Sequence, residues 1–139
     1  MIDGLVDRLD NWATCDCFAP ACIAKHRAEF AAYIGKYLAD SRVFARRFAL
    51  TTLLHFYADA EWLPFVLDCL RQVKAEEYYV SMAAAWLAAE VLVRFPAAGE
   101  ALLAEHALDV QTHNRAIRKA CESFRVSAER KTMLRAMKR

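Results

Sequence analysis

Residues 78–93, YYVSMAAAWLAAEVLV, are apolar on nearly every side of a helix and contain neither Gly nor Pro. The run is too long for an ordinary strand and rich in alanine, the strongest helix former, so it reads as a helix packed on both sides. Residues 42–57 repeat the pattern: Val43, Leu50, Leu54 and Tyr57 form one stripe, while Ala45, Phe48, Ala49 and Phe56 fill much of the remaining circumference. Outward from these two segments, apolar residues recur at intervals of three and four, broken at Pro20, Asp40-Ser41, Asp59-Ala60, Lys74-Ala75, Pro96 to Gly99 and near Asp109. The spacing predicts helices near 4–17, 21–39, 41–58, 61–73, 76–95, 97–107 and 110–125, with a short last helix from Ala128. Ser41, Asp109 and Ser127 are the expected N-caps, since their side-chain oxygens can accept from free N–H groups of a first turn.

The fold class is therefore all-α, with about seven helices and short connections. Two-sided helices alternating with shorter ones suit a layered α-α superhelix, although no strict sequence period is visible and an irregular bundle fits the same pattern. The 139 residues suit a single domain over 1–139, large enough to bury roughly two-thirds of its unfolded surface. Only 3 Gly and 3 Pro argue against a turn-rich β-sandwich or barrel. Charges interrupt every apolar stretch before about 18 residues, so no membrane span is expected; with no signal peptide visible either, a cytoplasmic location is.

Charge is unevenly distributed. From Val110 to Arg139 there are 9 Lys/Arg against 2 Asp/Glu, giving +7, and the preceding residues carry 10 against 15, giving −5. Such a basic block suits either a polyanion such as nucleic acid or a solvated tail. The five cysteines suggest reduced thiols rather than a disulfide framework. Cys15, Cys17 and Cys22 cluster without zinc-like spacing, and no histidine pair completes a ligand set, so no metal is expected. Phosphate-binding glycine loops, G-x-S-x-G and H-E-x-x-H are absent from the sequence, and nothing local marks a cysteine as activated.

Polar residues on apolar faces are the informative positions, because burying them is costly unless they are paired or line a cavity. Asp16 continues the line of Leu5, Leu9 and Trp12. Arg47 interrupts the stripe of Val43, Leu50, Leu54 and Tyr57. Glu90 shares a face with Tyr79, Met82, Trp86 and Val93. Asp16 and Arg47 could form a buried ion pair fixing helix register, or line a groove in which Arg47 holds a phosphate and Trp12 and Trp86 offer flat walls. Taken alone, the tryptophans are expected in the core, and Trp62, beside Pro64, has the look of a structural residue.

Four segments in order, Asn11-Trp12-Ala13-Thr14-Cys15-Asp16, Arg46-Arg47-Phe48-Ala49-Leu50, Tyr78-Tyr79-Val80-Ser81-Met82-Ala83-Ala84-Ala85-Trp86 and Arg115-Ala116-Ile117-Arg118-Lys119-Ala120-Cys121-Glu122-Ser123, resemble the DNA alkylation repair enzyme family, the AlkD-like glycosylases. The resemblance implies a superhelix of HEAT-like repeats that holds duplex DNA and excises N3- or N7-alkylated purines without drawing the lesion into a base pocket. It assigns Asp16 as the catalytic carboxylate and Trp12, Arg47 and Trp86 as DNA-binding, with Arg46 a neighbour and Arg115, Arg118 and Lys119 adding phosphate contacts. No cofactor is implied. Family members carry several helices before the W-x-x-x-D motif, whereas Met1 lies eleven residues before Trp12. The chain is thus expected to match the C-terminal part of the family's domain, with a second copy or another partner covering the exposed end. The alternative is a non-catalytic helical module that binds DNA or protein.

Overall fold

A computed structural model of the chain describes residues 27–73, 75 and 77–139, and seven α-helices account for most of them. They are α1 (Arg27–Leu38), α2 (Val43–Phe56), α3 (Leu63–Gln72), α4 (Tyr78–Arg94), α5 (Pro96–Ala104), α6 (Val110–Cys121) and α7 (Ala128–Ala136). No strand occurs among the described residues. The predicted helix at 4–17 lies outside them.

The architecture is an all-α helical repeat fold. Helices α2, α4 and α6 lie side by side in one row, with α1 against α2, α5 against α4 and α7 against α6, while α3 touches α1. The central place of α4 follows from its composition: Ala83, Ala84, Ala85, Ala88 and Ala89 are buried, and their short side chains admit a neighbour on each side. Phe48, Leu50, Leu53, Val80, Leu87 and Val91 complete one core. A second cluster of Leu92, Leu103, Ile117, Val126 and Leu134 seats the C-terminal helix.

Local chemistry sets the helix ends. Asp109 caps α6 by accepting from the Thr112 N–H, and Ser127 caps α7 by accepting from that of Arg130, as the sequence predicts. Ser41 does not cap α2. Arg42 occupies the N-cap, where its side chain makes no capping bond, and Asp40 instead accepts from the Arg42 N–H at 2.8 Å, because the chain turns one residue later than the pattern implies. Arg42 also holds the Asp40 carboxyl down at about 2. Glu77, unforeseen as a cap, accepts from the N–H groups of Tyr79 and Val80. Helix α4 stops at Phe95 because Pro96 disfavours a helical residue before it and opens α5. The joint between α1 and α2 is closed by Arg27, which donates to the Phe56 carbonyl at 3.2 Å and pairs with Asp59 and Glu61, while Tyr57 donates to the Arg27 carbonyl at 2.5 Å. Trp62 packs edge-on against Tyr57 and Phe65, the structural role its sequence position suggests. No described helix is long and apolar enough to cross a membrane.

Helix α5 folds back onto α4 across Gly99, where an added Cβ would lie 2.7 Å from Leu92 Cδ2 and 2.8 Å from Leu92 Cα. Backbone cannot give way as a side-chain tip can, so Gly99→Ala is expected to lower stability by about 1–3 kcal/mol, read from a denaturant midpoint. At the other end His113, 1% exposed, donates through Nε2 to the Met137 carbonyl at 2.8 Å, and its buried Nδ1 has no hydrogen-bond partner among the described residues. Burial, reinforced by the charge of Arg139, pushes its pKa below the ordinary value of 6.5, against the opposing bond to Met137. The unfolded chain therefore binds a proton more readily than the folded one, and stability should fall as pH drops below about 6.5. A series of melting temperatures between pH 7 and 5 should show this loss, and His113→Gln should flatten it.

Candidate nucleic-acid interface

Tyr78, Met82, Trp86 and Glu90 stand four residues apart along α4 and so form one strip down the helix. This strip escapes the burial of the other faces: Tyr78 is 54% exposed and Trp86 48%. The expectation that Trp86 belongs to the core is thus corrected. The alanines flanking it let α2 and α6 approach closely, and an indole at that position has no room between them. Sequence periodicity had grouped Tyr79 with Trp86, but Tyr78 heads the exposed strip.

Alongside runs α6, whose basic residues flank the strip. Three recesses lie in line between these elements. The first, about 220 Å³, is lined by Arg47, Tyr78, Tyr79 and Met82. The second, about 250 Å³, shares Tyr78 and Met82 and adds Arg115, Arg118, Lys119 and Glu122. The third, about 260 Å³, shares Lys119 and Glu122 and continues through Trp86, Glu90 and Ser123 to Arg125. Shared walls make them one furrow with aromatic rings on one side and cations on the other.

The cations differ in how they are held. Lys119 pairs with Glu122 at 3.7 Å, and Arg125 reaches Glu90 at 3.4 Å, where Arg94 also binds at 2.6 Å. Arg115 lies with its guanidinium 5.0 Å from the Tyr78 ring centre and donates to Ser81 Oγ at 2.7 Å. Among the described residues neither Arg115 nor Arg118 has a carboxylate partner. The basic block thus divides. Arg130 donates to the Leu92 carbonyl at 3.2 Å and pairs with Glu100, and Arg139 donates to the Leu108 carbonyl at 2.7 Å, so both tie the C-terminal segment to the body.

Arg47, which lines the first recess, is 5% exposed, and its Nη1 donates to the Tyr79 carbonyl at 2.5 Å. Arg46, beside it, is half-buried. Asp16 and Trp12 lie outside the described residues, as do Cys15, Cys17 and Cys22. Of the remaining cysteines, Cys69 and Cys121 are free thiols. Burial of Cys69 pushes its thiol up to about 12, which leaves it protonated and unsuited to nucleophilic attack. Among the described residues no group of three or more His, Cys, Asp or Glu side chains could hold a metal ion.

Sequence reasoning missed Tyr78 and Arg125 as furrow residues, and Ser81 as the buried partner of Arg115. A signal existed for Tyr78, which repeats with Met82 and Trp86 at four-residue spacing. For Ser81 there was only its polarity among alanines, and for Arg125 none beyond the basic block.

No curated protein and no solved structure matches the chain. A family model described as DNA alkylation repair enzyme matches residues 1–124, a span that contains all four sequence segments above and every residue of the furrow except Arg125. This match over most of the chain places the protein in the DNA alkylation repair enzyme family, whose role is DNA repair.

Proposed function

We propose that the protein is a DNA glycosylase that releases N3- or N7-alkylated purines from duplex DNA, which it holds along the furrow between α4 and α6. The observation that carries this reading is the pairing of Tyr78 and Trp86, both about half exposed, with Arg115, Arg118, Lys119 and Arg125 across the same furrow. Guanidinium and ammonium groups suit phosphates. Flat rings suit the sugar-phosphate edge, where they exclude water without reading sequence. The recesses are shallow and shared, which fits a site that contacts the backbone around a lesion rather than one that swallows a base.

The chemistry needs little more than a placed anion. An alkylated purine already carries positive charge and departs readily, so the enzyme's task is to stabilise the deoxyribose cation left behind. The carboxylate of Asp16 would face that oxocarbenium-like sugar and orient the attacking water. Trp12 would pack beside it. Arg47, whose Nη1 donates to the Tyr79 carbonyl, would lie beside the phosphate next to the lesion.

Two measurements test the reading. Asp16→Asn is expected to abolish release of 7-methylguanine from alkylated duplex while leaving duplex affinity and melting temperature close to those of the parent; unchanged release would remove Asp16 from catalysis, and lost affinity with no activity in the parent would favour a binding module. Duplex affinity should also be steeply salt-dependent. If two to four of the furrow cations meet phosphates, it should fall roughly ten- to hundredfold between 50 and 200 mM salt, and a flat profile would count against a phosphate-lined furrow.

A further inference from the structure

Two hydroxyls are sealed between α4 and α6 within an otherwise largely apolar contact: Ser81 is 1% exposed and Thr112 0%. Their proton count fixes a direction. The Thr112 hydroxyl donates to the carboxylate oxygen Asp109 Oδ1 at 2.5 Å. With its one proton committed, Thr112 can only accept from Ser81, 2.7 Å away. Ser81 is then left with lone pairs alone for Arg115 Nη1, at 2.7 Å. The result is a one-way chain of donors running from guanidinium through two hydroxyls to a carboxylate, an arrangement in which each bond polarises the next. Asp109 is itself fixed, because its other oxygen accepts from the Thr112 N–H at 3.2 Å.

We infer that Ser81, Thr112 and Asp109 are positioning residues that hold the Arg115 guanidinium across Tyr78 as a preformed seat for one backbone phosphate of the duplex. The inference rests on the reading of the furrow as a DNA-binding face. Lys119 and Arg125 must loosen their contacts with Glu122 and Glu90 before they meet a phosphate. Arg115 faces no such exchange. One of its five N–H donors is fixed on Ser81 and its plane is set by the Tyr78 ring, so it loses little side-chain freedom when it binds. Arg118, one helical turn on, lines the same recess of about 250 Å³. If the hydroxyl chain merely staples α4 to α6, DNA affinity should follow stability across variants.

The test compares Ser81→Ala, Thr112→Val, Arg115→Ala and the Ser81→Ala/Arg115→Ala double variant in the full chain, by duplex affinity at fixed salt and by melting temperature. Ser81→Ala is expected to weaken binding about tenfold, the scale of a hydrogen bond to a charged group, and to have no further effect once Arg115 is Ala. Thr112→Val breaks the same link between helices yet leaves Ser81 Oγ able to accept, so it should lose at least as much stability but less affinity. Affinity that tracks melting temperature, or a Ser81→Ala effect of equal size with and without Arg115, would overturn the positioning role. A readout without DNA separates this inference from the reading beneath it. In ¹⁵N NMR of the arginine side chains, a fixed Arg115 should give separate Nη signals that merge in Ser81→Ala. Unchanged signals in that variant overturn the hydroxyl chain, whereas separate signals in a parent protein that binds no duplex overturn the DNA-binding furrow and the phosphate seat with it.

Discussion

The close approach of α4 to α2 on one side and α6 on the other is the constraint from which the rest of the structure follows. Five buried alanines make it possible, and each would push a neighbour away if enlarged. With both flanks of α4 occupied, one face of the helix stays open. Tyr78, Met82 and Trp86 lie along that face, and basic residues of α6 line the same recesses. The furrow is thus largely a by-product of tight helix packing, with Ser123 and Arg125 of the connection after α6 completing one end.

That logic explains which parts could be read from the chain alone. Helix type and order were legible because the periodicity is strong and the breaks at Pro96 and around residues 58–61 and 105–109 are chemically marked. Capping by Asp109 and Ser127 was legible for the same reason. Ser41 was misread because Asp40 can serve the same turn from one residue earlier, a competition between neighbours that only the backbone path decides. Trp86 was misread because apolar area argues for burial in general, while the room available beside α4 depends on alanines whose effect is felt only after α2 and α6 have docked. The assignment of Asp16, by contrast, came from resemblance, and it remains a proposal about a residue outside the described part of the chain.

The two buried hydroxyls show how polarity can be admitted to such a packed contact. Neither would be tolerated singly, since each would leave a donor or acceptor without a partner. Together with a carboxylate at one end and a guanidinium at the other they are fully satisfied, and they join the two helices that flank the furrow. Stability and site geometry are supplied by successive bonds of one chain: the Ser81–Thr112 bond joins the helices, and the Arg115–Ser81 bond sets the guanidinium.

Glu90 and Glu122 sit among the furrow's cations and hold Arg125 and Lys119 in weak ion pairs. If the furrow binds duplex as proposed, such internal competitors would have a kinetic meaning: they would shorten each encounter by offering the cations an alternative to phosphate, and so favour travel along the polymer over arrest on it.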